Sequence, residues 1–171
     1  MESESARMSS AAEARFRIDY PNSEPRAVKV VALDEASERV VKRVAQLAWA
    51  RASFFTSLRF GAGEAGGREG WSMTAWLSDL AGRTKALIEE VASADLVVMV
   101  SSAGTSARAA AVIGEACAVR KVMTMALIIG SEQRSNEELS KTLATLRPYA
   151  SMLVIANDDA YVEEMLAALR A

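Results

Sequence analysis

The stretch from Ala94 to Gly130 constrains this chain more than any other. It reads ADLVVMV, SSAGTS, ARAAAVIGEACAVRK and VMTMALIIG in succession. The first block is apolar without alternation, as a strand is when both faces of a parallel sheet are covered. A turn of small residues follows, then a helix, then a second unbroken apolar strand. Parallel strands need such a crossover, so the unit points to an α/β fold. It also sets Ser101, Ser102, Ala103, Gly104, Thr105 and Ser106 at the carboxyl end of a strand, where open α/β sheets hold their ligands.

The alternation continues on both sides. Ala27–Leu33 (AVKVVAL) reads as a strand. Asp34 is the N-cap of a helix to about Ala50, with Val40, Val41, Val44, Leu47 and Ala48 on its buried face. Ser53–Phe60 reads as a second strand. Trp71–Ser93 reads as largely helical, with Trp76, Leu80, Leu87, Ile88 and Val91 as core candidates and Gly82 as a point of division. A loop, Ser131–Ser135, precedes a helix from Asn136 to about Leu146 that Pro148 ends. Ser151–Ala156 is a fifth strand, and Asn157 or Asp158 caps a last helix to Leu169. The predicted fold is α/β: three-layer and Rossmann-like, with about five mainly parallel strands and helices on both faces. Residues 1–26 are polar and hold Pro21 and Pro25, so they read as a flexible N-terminal arm. Phe16, Ile18 and Tyr20 alternate there as in an edge strand. Residues 27–171 read as one domain.

Composition removes several chemistries. The 171 residues include no histidine and one cysteine. Within one chain that excludes a Ser-His-Asp triad, a Cys-His dyad, histidine-bearing zinc sites and a disulfide; no metal site is predicted. Cys117, inside GEACAV, reads as a small buried apolar residue. A net charge of −2 gives no electrostatic case for nucleic acid. No apolar run reaches the ~20 residues that cross a bilayer, and MESESARMSS lacks the apolar core of a signal peptide. The expectation is a cytoplasmic protein with no membrane partner.

Two segments carry candidate sites. At the SSAGTS turn, the hydroxyls of Ser101, Ser102, Thr105 and Ser106, the open backbone at Gly104 and the nearby Arg108 suit a phosphate group or nucleotide. The same hydroxyls equally suit plain capping of the helix that follows. The second segment, GAGEAGGREG, spells GxGxxG with Gly61, Gly63 and Gly66, followed by Gly67. A dinucleotide turn needs a helix inside that loop and an acid ending the next strand, and both are missing. The loop reads instead as a flexible surface loop, or as a mobile lid or partner-binding segment. Adjacent carboxylates at Glu89–Glu90 and Glu163–Glu164 point apart on a helix and read as solvated. Trp71 and Trp76 read as helix packing, and Trp49 as core. Asp158 and Asp159 resemble a cap more than a magnesium site.

The order of these features resembles the nucleotide-binding half of the FtsZ/tubulin-like GTPases. VKVVAL is similar to that family's first strand, and GAGEAGG stands in the place of its glycine-rich segment. ADLVVMVSSAGTSARAAAVIGEACAVRKVMTMALII is similar to its strand, phosphate loop, helix and strand. LRPYASMLVIANDD is similar to its later strand and Asn-Asp turn. The resemblance runs over residues 27–160 and implies a Rossmann-like core. Of the family's phosphate loop, GGGTGTG, Gly104 and Thr105 remain. Where the family has a glycine-rich nucleotide turn after its first strand, this chain has LDEASE, which puts negative charge where phosphates would lie.

Three functions stay open on these grounds. One is a nucleotide- or phosphate-ligand-binding protein without fast hydrolysis, in a regulatory or assembly role, using Ser101, Ser102, Gly104, Thr105, Ser106 and Arg108. Another is a protein–protein interaction module, with a second copy or another protein as partner. The third is an enzyme of the phosphosugar isomerase or transferase kind, for which Glu115, Lys121 and Asp34 are the nearest bases. No cofactor is assigned beyond the nucleotide of the first reading.

Overall fold

A computed structural model describes residues 24–57, 76–79 and 84–171. Seven strands and five α-helices account for most of the described residues. Strand β1 (Val28–Ala32) leads into helix α1 (Glu35–Val44), then β2 (Ala52–Thr56). An antiparallel pair follows, β3 (Trp76–Asp79) and β4 (Thr84–Ala86), and then a short helix α2 (Leu87–Ala92). The central unit is β5 (Leu96–Ser102), α3 (Ala109–Arg120) and β6 (Met123–Ile129). The chain closes with α4 (Asn136–Leu146), β7 (Met152–Ile155) and α5 (Ala160–Ala168).

The described residues form one seven-stranded sheet of order β4-β3-β2-β1-β5-β6-β7. Its five strands β2, β1, β5, β6 and β7 are mutually parallel. Their order is the 2-1-3-4-5 of one common doubly wound arrangement, in which connections leave the first strand in opposite directions. The two directions use opposite faces. On one face α1 and α5 bury Val40, Val41, Val44, Val162 and Leu166 against Val28, Val30, Val98 and Leu127. On the other α2, α3 and α4 bury Leu87, Val91, Ile113, Cys117 and Leu146 against Val31, Val97, Met99 and Ile128. The fold is therefore the three-layer α/β arrangement that the unbroken apolar strands require.

The structure corrects several boundaries. The first helix ends at Val44 and not near Ala50, so Leu47 and Ala48 leave the buried face and are exposed. Trp49 is half-buried; its indole N–H donates to the Val44 carbonyl and its ring tilts against Phe54. The region read as helical from Trp71 is a hairpin wherever it is described before Leu87. β3 pairs antiparallel with β2 (Thr56 beside Ser78), and β4 with β3. Pairing with an otherwise bare strand edge outweighs local helical spacing there. Leu87 and Val91 are buried as expected. Trp71 and Leu80 lie outside the described residues, as do the arm over 1–23 and the whole glycine loop with Gly61, Gly63, Gly66 and Gly67. Among the described residues no helix is long and apolar enough to cross a membrane.

Candidate functional site

The strand order reverses between β1 and β5, and the crevice outside their carboxyl ends is where doubly wound sheets bind ligands. Register brings two turns together there. Ala32 lies beside Val100, and the Leu33 N–H continues the ladder to the Val100 carbonyl. The next residues on each side are Asp34 and the pair Ser101 and Ser102.

Asp34 caps α1 through a reciprocal capping box. Its Oδ1 accepts from the Ser37 N–H at 2.9 Å, and Ser37 Oγ lies 3.1 Å from the Asp34 N–H. The same carboxylate turns into the β5 turn. Oδ1 accepts from Ser102 Oγ at 2.7 Å, and Oδ2 accepts from the Ser102 N–H at 2.7 Å. Ser101 Oγ at 3.1 Å and Thr105 Oγ1 at 3.0 Å also reach Oδ2. Thr105 Oγ1 is 2.7 Å from the Ser102 carbonyl as well, so its single proton is shared between two acceptors. Five donors thus surround two oxygens of a residue that is 9% exposed. Burial alone would raise the Asp34 pKa. The backbone N–H groups of Ser37 and Ser102, with the Ser102 and Thr105 hydroxyls, outweigh it and hold the carboxyl below its ordinary 3.8.

The six residues singled out from sequence divide accordingly. Ser101 and Ser102 are buried and committed to Asp34; Thr105 is half-buried and joins them. Gly104 is exposed at φ 84°, and its N–H donates to Thr142 Oγ1 of α4 at 2.9 Å. Ser106 and Arg108 are exposed. Arg108 stands at the N-cap of α3, where no side chain caps the helix. The capping expectation is therefore corrected: the Ser101, Ser102 and Thr105 hydroxyls serve Asp34, and no side chain caps the helix that follows. Sequence reading named Asp34 as a cap and as a weak candidate base, and missed the carboxylate's second set of partners. The available signal was the acid in LDEASE, at the place where the turn's donors converge.

The other reactive groups stand apart. Cys117 is buried in α3, and burial pushes its thiol up to about 12, which leaves no thiolate for chemistry. Lys121 follows α3 in the left-handed region at φ 57°, at the opposite end of the crossover from Asp34. Glu115 lies within α3. Glu90 is corrected from a solvated role: it pairs with Lys29 Nζ at 2.9 Å, while Glu89 is exposed. Asp159 heads α5 without capping it, and the Asp158 side chain accepts from the Ala160 N–H at 3.0 Å. No family model matches this chain, and no curated protein is significantly similar to it.

Proposed function

We propose that this chain is a binding module that acts through contact with a protein, in a regulatory or assembly role, and that no phosphorylated ligand is turned over at the β5 turn. Asp34 carries the reading: the donors a phosphate would need are occupied by a carboxylate from the chain itself. A further anion within about 5 Å of that carboxylate meets roughly 3 kcal/mol of repulsion per unit charge at an effective dielectric near 20. A triphosphate would have to overcome several times that.

The partner side rests on β7, one of the two edge strands among the described residues. Its sequence is MLVI, with no charge or proline to guard the edge, and Met152 and Ile155 are 52% and 43% exposed. The Ala156 N–H bonds the Ile128 carbonyl, so by strand alternation the amides of Leu153 and Ile155 face away from β6. An edge with free amides and apolar side chains suits strand addition by a partner, here a second copy.

Thermal unfolding of the full chain with GTP, ATP or sugar phosphates, with magnesium, is expected to show no stabilisation. A ligand at 100 times its Kd would add about 2.7 kcal/mol, a shift easily read. The switch-point location favours the alternative, a phosphorylated ligand on the outward residues Gly104 to Ser106. A shift in wild type that Gly104→Asp abolishes would establish that alternative instead.

A further inference from the structure

The five donors around Asp34 come from two separate turns, one after β1 and one after β5. Only one of them, the Ser37 N–H, belongs to the ordinary capping of α1. The other four belong to Ser101, Ser102 and Thr105, 67 to 71 residues further along the chain. An N-cap needs no such additional donors; Ser or Asn caps a helix as well as Asp does. The geometry asks for an anion with two acceptor oxygens at that point.

We infer that the β1 and β5 turns form an oxyanion cradle whose resident occupant is the Asp34 side chain, and that the cradle takes a small free oxyanion, a carboxylate or a phosphate, once that side chain is withdrawn. The inference rests on the placement of Asp34 used in the proposed function, but not on the identity of any partner. In wild type the cradle is a built-in lock. The internal carboxylate is present at an effective concentration no dissolved anion matches, so it fixes the two turns in one arrangement without any ligand. Removing it leaves the buried Ser102 hydroxyl and N–H without their acceptor, which is costly unless another acceptor enters.

The test is chemical rescue of the full chain. Asp34→Ser keeps an N-cap oxygen for α1 and removes the carboxylate. Unfolding midpoints of wild type and variant are compared in formate, in phosphate and in chloride at matched ionic strength. The expected result is a saturable rise of about 3 °C or more in the variant with formate or phosphate, and none beyond the general salt effect in wild type. Phosphate without formate would mark a cradle wider than a carboxylate; formate without phosphate, one of carboxylate size; either supports the inference. Adding Ser102→Ala to the variant is expected to abolish the rescue. Equal responses of wild type and variant to each anion, or rescue that survives Ser102→Ala, overturn it. Should Asp34→Ser not fold in chloride, refolding in formate or phosphate supports the inference and failure in all three overturns it. A nucleotide that stabilises wild type would overturn the proposed function and leave the rescue result standing.

Discussion

Asp34 has to stay ionised to do its work, because each of its oxygens faces a backbone N–H that can only donate, Ser37 at Oδ1 and Ser102 at Oδ2. Asp34→Asn keeps the shape and a good N-cap but turns an amide NH₂ toward donors. It is expected to cost about 2–3 kcal/mol in urea unfolding at neutral pH. The sign with pH follows from the lowered pKa. The contribution is fully present above the ordinary value of 3.8 and is lost as pH falls through the lower folded-state value. The gap between wild type and Asp34→Asn should therefore narrow only in that acid range; a gap that is constant down to pH about 2 would contradict the assignment. Two glycines give a sharper contrast. A Cβ at Gly104 would strain φ 84° and touch Glu138 Oε1 at 3.3 Å, whereas Gly130, at φ 68°, has nothing near. Gly130→Ala should cost about 1 kcal/mol from backbone strain alone, and Gly104→Ala more. Asp34 as a cap was legible from its place between a strand and an apolar helix. Its partners in the β5 turn were not, because they depend on strand register across 67 residues.

The ion pair between β1 and α2 shows how an element boundary alters the reading of a side chain. From sequence Glu90 reads as solvated, because adjacent carboxylates on a helix point apart. The described hairpin instead starts α2 at Leu87, which sets Glu90 in the first turn. There its carboxylate meets Lys29, whose side chain is 12% exposed in a central strand and lies 5.8 Å from the Phe55 ring. Glu90→Ala should destabilise by about 2–3 kcal/mol, because it strands a largely buried ammonium. Lys29→Met with Glu90→Leu should recover most of that loss, since an apolar pair needs no partner charges; a double variant worse than Glu90→Ala would contradict this account. Gly114 in α3 makes a similar point. Alanine normally favours a helix interior by about 1 kcal/mol over glycine. Here a Cβ would be driven into the Tyr149 side chain. Gly114→Ala is therefore expected to destabilise by about 1–2 kcal/mol in the same unfolding assay. The mainly apolar strands β1, β5 and β6 were legible because burial on both faces writes itself into composition. The hairpin was not, because β3 is held by pairing to β2 and its own spacing reads as helical.

Taken whole, the sheet ends differently on its two sides. Among the described residues one edge strand is β4, from an antiparallel pair, and the other is β7, which runs parallel to its neighbour. A two-fold axis through Val154 would set Leu153 opposite Ile155 of a second copy, pairing the outward amides of both residues in each chain. All side chains meeting across such a seam are apolar, and β7 contributes no charge to oppose itself. Sedimentation velocity over a range of concentrations is expected to show reversible self-association. Ile155→Lys should abolish it by placing like charges across the seam, at a stability cost under about 1 kcal/mol because the residue is already 43% exposed. Val119→Lys, at a residue 70% exposed on α3 and outside the edge, should leave association unchanged. If both lysine variants associate as wild type does, the β7 edge is not the contact. The double result separates an edge effect from a general gain in charge, because both variants add the same lysine and only one adds it to the seam.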